Sequence, residues 1–210
     1  MELSGIATRF MWTLTMQTNR QRLRHGVLGL AVLGLLGCRG TTEQAGPPVP
    51  FDEEGACPFL CCTYRAWTVD WDTDLRTDRR DDAPVAYHAS LGETVEGLTG
   101  VVSTTTVGRA TASRQVMVGS KHIVVAAGEP IYLVRNIGGG DWKIWVHGMV
   151  DQQYIPNQGY CNGAQGASDE CALTVVAQPE VVWWAKIRNA VGREGWTREV
   201  EHFGGRDSCG

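Results

Sequence analysis

The chain has 210 residues, a formal net charge of −4, 43% hydrophobic residues and seven cysteines. That length suits one domain or two small ones. Residues 1–37 carry Glu2 against Arg9, Arg20, Arg22 and Arg24, a net of +3, so residues 38–210 carry −7. An acidic region of this kind argues against nucleic acid as a partner, because that affinity comes from Lys and Arg on phosphates. It argues equally against polybasic attachment to anionic lipid.

Arg20, Arg22, Arg24 and His25 precede the apolar run VLGLAVLGLLG, which stops at Cys38. A basic stretch, a short apolar run and a small residue before the cut describe a secretory signal over residues 1–37. The run falls well short of the roughly 20 residues of a spanning helix. The segment before Arg20 is long for such a signal, so Met11 or Met16 is an alternative start. The sequence Leu35-Leu36-Gly37-Cys38 resembles the lipobox of bacterial lipoproteins. The resemblance implies that Cys38 is acylated and becomes the new N-terminus, which makes the membrane a partner through a lipid anchor and places the protein on the periplasmic side or the cell surface. Arg39, standing where some bacteria carry an inner-membrane retention aspartate, favours an outer membrane where one exists.

Residues 38–56 are polar, rich in Gly and Pro and without periodicity, which reads as a flexible tether. The folded region is expected to start near Cys57. Six cysteines follow Cys38, namely Cys57, Cys61, Cys62, Cys161, Cys171 and Cys209. An even number in an exported chain reads as a disulfide framework, with 15 possible pairings. Cys161 with Cys171 is a plausible local pair, and Cys209 is placed to tie the tail back to the 57–62 cluster. Cys57-x3-Cys61-Cys62 lacks the usual metal-knuckle spacing, so no metal and no cofactor is assigned.

From Thr63 onward the chain shows short β signals bounded by Gly, Pro, Asp or Asn: YRAWTVDW, VAYHASL, ETVEGLTGVVSTTTV, HIVVAAG, PIYLVRNI, DWKIWVHGMV, ALTVVA and VVWWAKIRN. No stretch keeps a helical apolar stripe for three turns. The fold class is therefore all-β, a sandwich or small barrels. IGGGD and NAVGREG read as hairpin turns, where glycine supplies a positive φ.

A weak internal repeat is present. GETVEGL (92–98) matches GEPIYLV (128–134), and DWKIWVHG (141–148) matches WWAKIRNAVGREGW (183–196). A Gly-Glu ramp, a Trp-basic-Ile hairpin and a Gly-x-x-Gly-Trp close over roughly residues 73–203 are similar to bacterial SH3-like (SH3b) domains. The C-terminal EHFGGRDSCG resembles the tail of uncharacterised SH3-like bacterial lipoproteins. The family resemblance implies small SH3-like barrels and binding of peptidoglycan peptides or other extended peptides. The first ramp has no hairpin before the second ramp begins, and the last hairpin has no ramp before it. The favoured arrangement is one lobe inserted in another, with lobe 1 at 63–110 plus 181–210, lobe 2 at 111–155 and a loop at 156–180. The alternative is one sequential barrel with decorated loops.

Chemistry is sparse. His88, His122, His147 and His202 lie in no catalytic signature, and His147 reads as a solvent-facing strand residue. Asp78, Asp81 and Asp82 are mixed with Arg76, Arg79 and Arg80 ahead of a proline and read as a solvated loop rather than paired catalytic acids. GGGD at 138–141 lacks the following helix and Lys-Ser/Thr of a phosphate loop. No catalytic residue is assigned. Trp183 and Trp184 must face opposite sides of a strand, and so must Trp142 and Trp145. One of each pair is expected in a core, with Trp196 closing the barrel. The other is a candidate for an aromatic peptide groove, or else is covered by a second lobe or the 151–180 loop. The expected function is non-enzymatic binding of a peptide, a protein or a cell-wall component such as peptidoglycan. The alternatives are an accessory module of cell-wall hydrolysis and a structural or inhibitory envelope lipoprotein without an open groove.

Overall fold

The computed structural model describes residues 45–157, 160–161 and 168–209, all within one compact unit. The signal segment and Cys38 lie outside the described residues. The fold is all-β. Two single turns of 3-10 helix, Glu170–Ala172 and Val200–His202, are the helical pieces among the described residues.

The first strands are β1 (Phe51–Glu54), β2 (Ala66–Val69), β3 (Thr73–Arg76), β4 (Val85–Ala89) and the long β5 (Thr94–Thr106). The chain then builds β6 (Gly108–Ala112), β7 (Val116–Val118), β8 (Ile123–Val125), β9 (Pro130–Gly138), β10 (Asp141–Val146), β11 (Met149–Tyr154) and β12 (Leu173–Ala177). It closes with β13 (Glu180–Arg188), β14 (Glu194–Thr197) and β15 (Phe203–Gly204). One sheet runs β15-β2-β5-β13-β14-β3-β4, with β1 added alongside β5. A second runs β11-β10-β9-β6-β12, and β7 pairs with β8 as a separate hairpin.

All of the second sheet lies between β5 and β13 in the chain, and those two strands pair with each other. Thr106 sits opposite Glu180 at the neck, and the Thr106 hydroxyl donates to the Glu180 carboxylate at 2.8 Å. The insertion therefore leaves and re-enters at adjacent strand ends. Each lobe keeps its own core: Trp67, Val69, Leu75, Ile187 and Phe203 in the first, Ile131, Leu133, Ile144, Val146 and Leu173 in the second.

The internal repeat has a physical basis. Gly92 and Gly128 take φ of 80° and 76°, and the carboxylates of Glu93 and Glu129 accept the N–H groups of Ser90 and Ala126 at 3.1 and 2.8 Å. Each ramp strand pairs with its matching hairpin strand, β5 with β13 and β9 with β10. The first ramp is thus completed by the last hairpin, across the inserted lobe.

Three boundaries differ from expectation. Residues 45–56 do not form a free tether: β1 pairs with β5, Phe51 opposite Thr104 and Glu54 opposite Val101. β6 belongs to the inserted lobe rather than to the first. β12 completes the inserted sheet by pairing with β6, so the expected 156–180 loop contains a strand. Polar FDEE carries no apolar alternation, which hid β1. Its pairing is decided by the open edge of β5 beyond the short β2.

The segment 45–56 also joins the lobes. Glu53 accepts from Arg135 Nε at 2.7 Å and from Lys143 Nζ, both in the inserted sheet. Phe51 meets Trp145 edge-on at 6.5 Å, and the Trp145 indole donates to the Ala45 carbonyl at 3.3 Å. The three disulfides are Cys57–Cys62, Cys61–Cys209 and Cys161–Cys171. The local pair and the tail tie agree with the sequence reading.

Candidate functional site

The four candidate tryptophans do not share one surface. Trp183 lies in the first core, its indole donating to the Tyr64 hydroxyl at 3.0 Å, while that hydroxyl donates to the Ala56 carbonyl at 2.6 Å. Phe59 and Trp67 pack edge-on against it at 6.0 and 6.1 Å. Burial outweighs the indole bond and pushes the Tyr64 phenol above its ordinary range. Trp142 lies in the inserted core, and Trp145 is covered by the 45–51 segment.

Trp184 takes the other face of β13. Of the two readings of the outward tryptophan, an open groove or a covered face, the covered one holds: Trp183 is 7% and Trp184 9% exposed. Residues 78–81 of the loop 77–84 stand beside Trp184 across shared hollows, while the run itself is largely solvated, with Asp78, Arg80 and Asp82 side chains 62, 61 and 82% exposed. Arg79 pairs with Asp52 and Glu54 at 3.4 and 3.2 Å and sits 5.6 Å over the Trp196 ring. Asp81 pairs with Arg198 at 3.0 Å.

Trp196 is a correction. It does not close the core; it is partly buried on the outer face between Arg79 and Lys186, a position where a cation over an indole is favourable. Gly195, its neighbour, is the residue pressed inward, and a Cβ there would meet the Leu75 Cβ at 2.6 Å.

Around Trp184 two hollows, about 420 and 280 Å3, share Trp184, Asp81 and Arg198. Val182, Trp184 and Ser103 line the first, while Asp52, Arg79 and Arg80 contribute charge to it. Asp74, Arg76 and Glu199 continue this into the second. The rim carries both signs. Its pairs are partly solvated, with side chains 30–61% exposed for Arg79, Arg198 and Asp81. Exposed pairs are worth about 0–1 kcal/mol, so exchanging a partner for a ligand charge costs little. With the indole itself nearly covered, the exchangeable charges of the rim are what an extended chain carrying both an amine and carboxylates would meet.

A larger hollow of about 630 Å3 lies beside the 189–192 turn, but its Arg188 and Glu96 satisfy each other at 2.6 Å and it has no aromatic wall. His147 is not a strand residue; it occupies the turn after β10 at φ 51°, with Nε2 2.5 Å from Glu129. Partial burial works against the charge on Glu129, yet the Ala126 N–H and His147 hold its carboxyl below the usual range. His88 lies against Asp74 at 2.9 Å, which raises its pKa. His202 accepts or donates at Thr73 at 2.9 Å, and His122 sits in the β7–β8 turn. These histidines lie on separate turns and strands. The one grouping of possible metal ligands among the described residues is Cys61, Asp207 and Cys209, and both sulfurs are committed to one disulfide.

Compared with protein-family models, curated proteins and solved structures, the chain finds no match in any of the three.

Proposed function

We propose that the protein is a lipid-anchored envelope protein whose nested β lobes bind an extended peptide segment without turning it over. The segment belongs to a protein or to the peptide part of the cell wall. The observation that carries this reading is the mixed-charge, partly solvated rim beside Trp184, since exchangeable charges of both signs are what the termini and charged side chains of an extended peptide use. The anchor is Cys38, on the strength of the lipobox-like Leu35-Leu36-Gly37-Cys38. Because Ala45 is held at Trp145, the chain from Cys38 to Ala45 spans at most on the order of 25 Å. The folded lobes then stay close to the membrane rather than at the end of a long tether.

The test is retention of envelope proteins and of purified peptidoglycan by the wild-type lobes and by Arg198→Glu. Retention by wild type that falls with Arg198→Glu supports the reading. No retention, or equal retention by both, removes the groove. Turnover of peptidoglycan by the wild-type lobes removes the non-enzymatic part. Trp183 and Trp145 are both engaged internally, which favours a purely structural envelope protein as the second reading if nothing is retained.

A further inference from the structure

The inserted lobe holds a second hollow, of about 450 Å3, where the end of β11 meets β12 and the β9–β10 turn. Its chemistry is unlike that of the Trp184 groove. None of the described residues lining it is charged, in a chain of which 20% is Asp, Glu, Lys or Arg. Asn136, Asn157 and Gln178 bring side-chain amides to its wall, and Trp142 and Tyr154 bring aromatic rings.

Trp142 is 6% exposed, and its indole nitrogen is not closed off from solvent. The amides of Asn136 and Gln178 are exposed and available to a ligand. The space itself depends on glycine. Gly139 and Gly140 hold φ of 64° and 95°, and a Cβ on Gly140 would meet the Tyr154 ring at 2.6 Å.

We infer that this hollow is a carbohydrate site that takes an uncharged sugar unit. Each side-chain amide offers two N–H donors and one carbonyl acceptor, so three amides match hydroxyls that both donate and accept. The ring of Tyr154, 37% exposed and crossed edge-on by Tyr160 at 6.2 Å, gives the flat apolar face against which a sugar ring packs its C–H groups. Trp142 adds a second aromatic ring to the same wall. A charged ligand would enter without a counter-ion and be disfavoured by desolvation. The site is separate from the Trp184 groove and does not rest on it. Free oligosaccharide and the glycan strand of a cell wall present the same chemistry.

Two probe sets separate those sources: a neutral N-acetylglucosamine tetramer alongside maltotetraose, and peptidoglycan glycan strands stripped of their peptides. Titrations use the whole folded region, followed by heat and by the indole N–H resonance of Trp142, which is assigned with Trp142→Phe. At least one neutral probe should bind and shift that resonance. Tyr154→Ala and Gln178→Ala, both at exposed positions, should weaken binding at least tenfold, while Arg198→Glu leaves it unchanged. Binding of the tetramer alone identifies free sugar as the ligand, and binding of stripped strands identifies the wall polymer. Absence of binding by every neutral probe at millimolar concentration overturns the inference. So does binding that is indifferent to both substitutions, or a preference for stem peptide over sugar at this hollow.

Discussion

Trp183 and Trp184 are consecutive in the chain and belong to opposite sides of β13. The first donates its indole N–H to Tyr64 at 3.0 Å inside the core, and the second lies along a groove with Asp81 and Arg198. Both are shielded from water, by different parts of the molecule. Trp183→Ala should therefore cost about 3–5 kcal/mol as a cavity in a packed core. Trp184→Ala should cost about 1.5–3 kcal/mol, mainly the transfer of the ring, because charged side chains over it can settle inward. Urea unfolding of the two variants measures the difference, and equal costs would show that the groove is as tightly packed as the core.

The ion triad of Glu53 with Arg135 and Lys143 joins the lobes. Glu53 and Arg135 side chains are each 10% exposed, and Arg135 Nη1 has no partner. Glu53→Ala strands a nearly buried guanidinium and is expected to cost about 3–5 kcal/mol. Arg135→Met in the same background should recover most of that loss, which thermal unfolding of single and double variants reads directly.

Asp151 organises the β7–β8 hairpin, accepting Ser120 Oγ at 2.9 Å and Lys121 N–H at 3.0 Å. Partial burial opposes its charge, but the N–H groups of Gln152 and Lys121 and the Ser120 hydroxyl outweigh it and hold its carboxyl below the ordinary 3.8. A depressed acid contributes stability above its unfolded pKa and loses it as pH falls through the folded one. Amides of residues 116–125 should exchange faster below about pH 3.8, after correction for the intrinsic rate. Asp151→Asn should show that faster exchange already at neutral pH.

Cys61–Cys209 closes 148 residues of chain. Loops of that size are worth on the order of 4–5 kcal/mol in the unfolded-state entropy account. Cys209→Ser should lose somewhat less, because Thr63 N–H to Arg206 and Ser208 N–H to Cys61, at 2.9 and 2.8 Å, still hold the tail. Intact mass after alkylation without reductant should show none of the six cysteines labelled. Label at several of them would remove the disulfide framework.

The anchor is tested separately. Cys38→Ser should leave an unprocessed or soluble product that stays in the aqueous phase of a detergent partition, whereas the wild type enters the detergent phase. Equal partition of both proteins would remove the lipid anchor.

Local chemistry repeated in the chain was legible from residues alone. The Gly-Glu ramps at 92–93 and 128–129 specify one turn twice: a glycine at positive φ and a carboxylate three residues past the N–H it caps. Their order relative to the two hairpins implied that one lobe sits inside the other, since each ramp needs a partner strand. Cysteine count and spacing likewise pointed to a framework with a tail tie, and alternation assigned Trp183 and Trp184 to opposite faces. What covers those faces was decided only by tertiary structure. β1 has no apolar pattern and gains its place from the edge of β5. The run TDRRDDAP reads as solvated and is largely so, yet its place beside Trp184 is set by Arg79 finding Asp52, Glu54 and Trp196, and Asp81 finding Arg198. Periodicity reports which side of a strand a residue takes. It carries no information about whether a segment 20 or 100 residues away will cover that side, because that depends on where strand pairing brings the segment in space.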